Sequence, residues 1–136
     1  MILRDEGREP RAYKDSLGYW TIGVGHLLPP GDHDGLVWTD EQIDAALEAD
    51  IEDARQDCKS RLPWFDDLDE VRQAVLIAMC FQLGIKRMLG FAHMLMYVKQ
   101  GYWAGAAKEM ENSIWAHQTP KRCIRMADQM LTGKWT

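Results

Sequence analysis

The sequence predicts an α+β fold, mostly helical, in which a small β-hairpin lobe is followed by one long linking helix and a C-terminal helical bundle. Three observations carry that prediction. Tyr13, Asp15, Tyr19 and Thr21 alternate about Asp15-Ser16-Leu17-Gly18, a hairpin signal. Thr39-Asp40-Glu41-Gln42 is a capping box opening a stripe of Ile43, Leu47, Ile51 and Ala54. From Asp69 onward, Val71, Ala74, Val75, Ala78 and Met79, with Leu76, Ile77 and Phe81 around them, are apolar on almost every side, as at the centre of a bundle.

The elements follow in order. Residues 2–7 form the end of a short helix stopped by Gly7 and then Pro10, and residues 12–28 form the hairpin. Pro29-Pro30-Gly31-Asp32-His33-Asp34-Gly35 is punctuation and can only be loop. The capping box starts a long helix over residues 40–60 that ends before Pro63. After the central helix come helical stretches at 92–100, 103–111 and 120–131, interrupted by Gly101 and by Thr119-Pro120, where proline suits a first helical position. The whole is one domain over residues 1–136: a hairpin lobe at 12–38, the linking helix at 40–60 and a helical lobe at 68–136, with a cleft expected between lobe and bundle.

Composition excludes several function classes. A chain of 136 residues has room for one core, burying roughly two-thirds of its surface. No run of about twenty apolar residues exists, and the opening Met1-Ile2-Leu3-Arg4-Asp5 brings charge before any apolar region, so neither a membrane span nor an export signal is expected. A net charge of −5 argues against nucleic acid and anionic membrane as general partners. Cys58, Cys80 and Cys123 are widely spaced and indicate neither a zinc site nor a disulfide framework, so reduced thiols are expected. Asp32-His33-Asp34-Gly35, beside His26, lacks the later ligands and terminal glutamate of a calcium loop, so no metal and no cofactor are expected. Lys121, Arg122, Arg125 and Lys134 read as a solvated face, Met79, Met88, Met94, Met96, Met110, Met126 and Met130 as core filler, and Cys80 as packing rather than nucleophile.

The residues that carry chemistry lie in the first fifth of the chain. Glu6, Asp15 and Thr21 supply a carboxyl at a helix end, a carboxylate on an open turn and a hydroxyl on the following strand. Glycosidic bonds break when an acid protonates the leaving oxygen while a second carboxylate activates water or attacks the anomeric carbon. A glutamate facing the unpaired carbonyls of a helix C-terminus is helped to hold the proton an acid must donate. Asp15, on an open turn, suits the base, and Thr21 could position the water. Such a pair fits the inverting arrangement, whose carboxyls stand about 6.5–9.5 Å apart. Alone, the same residues also fit a capped helix and a solvated turn.

The surrounding motifs narrow this. Arg4-Asp5-Glu6-Gly7, Tyr13-Lys14-Asp15 and Gly18-Tyr19-Trp20-Thr21-Ile22-Gly23-Val24-Gly25-His26-Leu27-Leu28 resemble the catalytic segment of the phage-type lysozymes, glycoside hydrolase family 24, and the T-even phage enzymes in particular. The likeness returns in Leu68-Asp69-Glu70-Val71-Arg72, Phe81-Gln82-Leu83-Gly84, Gly90-Phe91 and Trp115 through Gln118-Thr119-Pro120 to Arg122. The resemblance implies a lysozyme-like fold and a muramidase hydrolysing the β-1,4 bond between N-acetylmuramic acid and N-acetylglucosamine of bacterial peptidoglycan by inversion. Glu6 then matches the general acid, Asp15 the carboxylate that activates water and Thr21 the residue that holds it. Arg122 matches an arginine that pairs with the catalytic glutamate, and Gln82 and Trp115 its supporting shell. His26 and Asp50 match a salt-bridged pair tying lobe to linking helix. Leu27 and Phe81 match saccharide-contacting positions, with Gly25, Met94 and Glu109 as further substrate-binding positions.

The chain also departs from that pattern. Only ten residues separate Leu28 from Thr39, so the lobe is cut down relative to the T-even enzymes. Met94 and Glu109 stand where those enzymes have small polar residues, which implies altered saccharide contacts and a different reading of the peptide part of the substrate. The acidic balance implies weaker adhesion to an anionic wall than that of the basic T-even lysozymes. A lytic transglycosylase needs the acid but no base, so Asp15 with Thr21 argues against it, and the intact triad argues against a non-catalytic peptidoglycan-binding module. The resemblance further implies a phage-encoded protein, monomeric unless part of a larger tail protein, acting at lysis from the host cytoplasm with release to the periplasm or wall, or carried on the virion tail.

Overall fold

The computed structural model describes residues 7–136. Among these residues the fold is α+β, with seven helices and one three-stranded antiparallel sheet. The helix expected at residues 2–7 lies outside the described residues except for Gly7. By its internal contacts the chain divides into two compact units, Met1–Asp53 and Ala54–Thr136.

In the first unit, β1 (Glu9–Lys14), β2 (Trp20–Gly23) and β3 (His26–Leu27) run in sequence order, with Tyr13 opposite Thr21 and Ile22 opposite His26. The hairpin begins earlier than the sequence suggested, because Pro10 lies inside β1 rather than ahead of it. Proline is tolerated at a bulge or edge, and the register shifts between Glu9 and Tyr13. The far side of β1 is covered as well: the Trp38 amide donates to the Pro10 carbonyl at 2.8 Å, and the Ala12 amide to Leu36 at 2.9 Å.

Helix α1 (Asp40–Arg61) lies where the capping box put it. The Thr39 amide donates to Gln42 Oε1 at 2.8 Å, and the Gln42 amide to Thr39 Oγ1 at 3.2 Å, satisfying two otherwise unpaired donors. Asp40 and Glu41 in the first turn and Lys59 and Arg61 in the last complement the helix dipole. Its buried Ile43 meets β2 at Gly23, where an added Cβ would fall 3.2 Å from Ile43 Cγ2 and where φ is +68°. Glycine answers both demands at once.

The second unit contains the end of α1 followed by α2 (Glu70–Leu83), α3 (Ile85–Leu89), α4 (Ala92–Gln100), α5 (Trp103–Glu111), α6 (Ile114–Gln118) and α7 (Pro120–Thr132). Helix α5 packs on α4 and α7, and α2 packs on α3 and α7. Helix α2 buries Val71, Val75, Leu76, Ile77, Met79 and Cys80, as its all-round apolar pattern predicts. At Gly105 an added Cβ would stand 2.6 Å from the ring of Tyr102, just ahead of α5, and 3.0 Å from that of Tyr97 on α4, so the two tyrosines leave no space for a side chain there.

Arg72 fastens the end of α7. Its Nε donates to the Met130 carbonyl at 2.7 Å and Nη2 to Leu131 at 3.0 Å, Nη1 meets Asp69 at 3.1 Å, and the guanidinium lies 3.8 Å over the Trp103 ring.

The expectation for one methionine changes. Met96 is exposed rather than core, because α4 buries Met94, Leu95 and Val98 and Met96 falls nearly opposite that stripe. Cys58 and Cys80, far apart in sequence, come together between α1 and α2; the Cys58 thiol donates to the Leu76 carbonyl at 3.7 Å, and its interaction with Cys80 together with burial pushes it up. All three cysteines are free and buried. Burial pushes the Cys123 thiol up to about 11, so it is protonated and inert at neutral pH.

Candidate active site

Asp15 organises the turn between β1 and β2. Its amide donates to the Tyr19 carbonyl at 2.8 Å, and its carbonyl accepts from the Gly18 amide at 3.0 Å. Its carboxylate Oδ1 accepts from the amides of Leu17 and Tyr19, each at 2.9 Å. Backbone donors alone therefore orient the half-buried carboxylate. The other oxygen, Oδ2, has no hydrogen-bond partner among the described residues.

Thr21 pairs with Tyr13 on one side and Leu27 on the other. Asp15 lies two residues beyond Tyr13, in the turn between the two strands. The buried Thr21 hydroxyl donates to the Tyr19 carbonyl at 3.1 Å. With that proton committed, the oxygen can offer only lone pairs to a water.

Gly25, at φ +67°, turns the chain between β2 and β3, and Leu27 stands exposed on β3. His26 Nδ1 lies 2.8 Å from Asp50 Oδ2 on α1, and its ring centroid lies 5.4 Å from that of Trp38. A second link between this lobe and α1 was not read from the sequence: Arg8 Nη1 meets Asp44 at 2.9 Å and Nη2 meets Asp40 at 3.2 Å. The i,i+4 spacing of Asp40 and Asp44 was the available signal.

In the helical unit, Phe81 and Gln82 are half-buried near the end of α2, Arg122 is half-buried in the first turn of α7, and Trp115 is buried in α6. Trp115 meets Phe91 edge to face, with ring centroids 6.5 Å apart. Gln82 Oε1 and Trp115 Nε1, an acceptor and a donor, are buried and make no hydrogen bond among the described residues. Met94 and Glu109 line one pocket of about 360 Å³ together with Phe91, Trp115, Arg87 and His93, and with Asn112 and Ser113. Arg87 and His93 were not singled out from the sequence; the nearest signal was the Gly90-Phe91 motif.

The structure thus sets Asp15 in the turn that leads into the strand of Thr21, and brings His26 to Asp50 and Met94 and Glu109 to Trp115. Glu6 lies outside the described residues. No group of three or more metal-ligating side chains occurs among the described residues.

Comparison with known proteins adds to this geometry. Residues 4–126 match the profile of a family described as Phage lysozyme. The chain is similar to "Probable T4-type lysozyme 1" of Dictyostelium discoideum, at 32% identity over 98% of this chain and 92% of that protein. It is similar to "Probable T4-type lysozyme 2" of the same organism, at 27% identity with the same coverage. It is also similar to the pre-baseplate central spike protein Gp5 of Enterobacteria phage T4, at 32% identity over 98% of this chain and 27% of that protein.

Proposed function

This chain belongs to the phage lysozyme family and is a glycoside hydrolase, and we propose that it is an endo-acting muramidase that cuts the β-1,4 bond between N-acetylmuramic acid and N-acetylglucosamine with inversion. The observation that carries this reading is the turn at Asp15. A carboxylate held by two backbone amides through Oδ1 presents a fixed second oxygen to a water. Thr21, on the strand that follows the turn and with its own proton spent on Tyr19, accepts from that water. The water oxygen is thereby turned toward an anomeric carbon, and Asp15 Oδ2 takes its proton as the new bond forms. Glu6 is the acid that protonates the leaving oxygen on the opposite face of the sugar. A transglycosylase would need no group to hold and deprotonate water, and this hairpin is built around one.

In this reading the chain is one lysozyme domain: hairpin lobe 12–38, linking helix 40–60 and helical lobe 68–136. Leu27, Gly25, Phe81, Met94 and Glu109 contact the glycan, and Gln82, Trp115 and Arg122 support the acid. The family description and the phage spike relative support a phage-encoded protein that acts at host lysis or during penetration of the wall.

The test is Glu6→Gln against purified peptidoglycan, followed by turbidity and by mass spectrometry of the products. The parent should release reducing muramic ends, and Glu6→Gln should lower the rate by about 10²–10⁴-fold, the range for loss of a general acid. Anhydro-muramic products, or a Glu6→Gln variant that clears the suspension at the parent rate, would refute the assignment.

A further inference from the structure

Backbone pairing with β2 is interrupted where β1 begins. Glu9 stands opposite Gly23, the register then shifts, and pairing resumes at Tyr13. Pro10, inside that interval, has no amide to donate. Arg8 comes just before the interval and is held by its side chain instead. Nη1 donates to Asp44 Oδ1 at 2.9 Å, and Nη2 donates to Asp40 Oδ1 at 3.2 Å and to the Asp40 carbonyl at 3.1 Å. One guanidinium thus grips two carboxylates and a carbonyl at the start of α1, and its planar fork fixes direction as well as distance.

Neutralising charge on α1 does not by itself call for this arrangement. Asp40, Asp44, Glu48 and Glu52 are exposed and repeat at the i,i+4 spacing at which like charges repel. A cation within α1 could relieve such a row, yet its first two acids are met from the segment ahead of β1. That segment has a demand of its own. Inversion sets the two carboxyls about 6.5–9.5 Å apart, and a misplacement of about 1 Å can cost about 10²-fold. Asp15, just beyond the far end of β1, is oriented by two amides. Glu6 precedes Arg8 by two residues, so covalent geometry alone keeps their Cα atoms within about 7 Å.

Resting on the muramidase reading above, we propose that Arg8 is a positioning residue for this reaction: its grip on Asp40 and Asp44 pins the chain two residues after Glu6 and so sets the acid's distance from Asp15. Arg8 touches no substrate in this role. Its loss leaves the acid's chemistry intact but spreads the carboxyl over positions from which it protonates the leaving oxygen less often. Turnover then falls while glycan binding, made elsewhere, is kept.

The experiment measures kcat and KM on soluble peptidoglycan strands, with the thermal midpoint, for Arg8→Ala, Arg8→Lys and the pair Asp40→Asn with Asp44→Asn. Arg8→Ala is also combined with that pair and with Glu6→Gln. Arg8→Ala should lower kcat about tenfold with KM little changed, and Arg8→Lys should recover part of the loss. The two asparagines should cost as much as Arg8→Ala, and adding Arg8→Ala to them should cost nothing further. In the Glu6→Gln background Arg8→Ala should likewise cost little, since no acid remains to be placed. A merely structural pair would lower the midpoint and leave kcat per folded molecule unchanged. That result, or a tenfold cost that persists beside Glu6→Gln, overturns the positioning role and leaves the muramidase standing; Glu6→Gln turning over at the parent rate overturns both.

Discussion

The hairpin unit and the helical unit hold their important side chains by different physics. In the hairpin unit the positions are set by backbone hydrogen bonds: Asp15 by the Leu17 and Tyr19 amides, Thr21 by the Tyr19 carbonyl. In the helical unit they are set by packing around fully buried side chains such as Met79, Met88, Met110 and Met130, and by one arginine that fastens a helix end. Methionine has no polar group to satisfy and fills irregular gaps, so it suits a core assembled from several short helices. A residue held by its own turn can be altered chemically at little cost to the fold, whereas one held by packing cannot.

Asp15→Asn is the strongest way to break this contrast. Asparagine keeps an Oδ1 that can accept the two amides, so the turn should survive while the base is lost. Activity on peptidoglycan should fall by about 10²–10⁴-fold. The thermal midpoint should stay with that of the parent. A loss of stability on the scale of a core deletion would show that the hairpin, too, depends on its side chain for its shape.

Arg72→Ala probes the other side. It removes the donors to the Met130 and Leu131 carbonyls, the pair with Asp69 and the cover over Trp103, from a side chain only 12% exposed. A loss of about 2–3 kcal/mol is expected in urea unfolding, because the acceptors at the end of α7 lose a charged partner. Turnover per folded molecule should be unchanged. A loss of turnover with intact stability would mean that this corner does more than close the bundle.

The same division explains what the sequence made legible. Helix α1 was readable because a capping box and an apolar stripe are local signals, and α4 and α5 because Gly101 separates them. Helices α3 and α6 span five residues each, too short to display a period, and went unread. The start of β1 was missed because Pro10 argues against a strand unless a bulge accommodates it. The meeting of Cys58 with Cys80 and the gathering of Arg87, His93 and Glu109 depend on packing between elements, which no motif encodes. In the candidate site, Asp15 and Thr21 could be placed on one hairpin from alternation alone, whereas the parts played by Glu6, Gln82 and Arg122 rest on resemblance.

His26→Ala gives the smallest effect and the finest comparison, since it asks whether a side-chain bridge adds to what the backbone already fixes. The His26–Asp50 pair spans 2.8 Å with its side chains 30% and 26% exposed, and the His26 ring also leans on Trp38. Solvent screening limits such a pair to about 1 kcal/mol or less, and loss of the ring contact adds a few tenths. The turn at Asp15 makes its hydrogen bonds without reference to His26. The variant should therefore unfold at slightly lower denaturant while retaining most of its activity. If activity fell far more than stability, the bridge would be positioning the catalytic hairpin, and the backbone of that unit would not be self-sufficient.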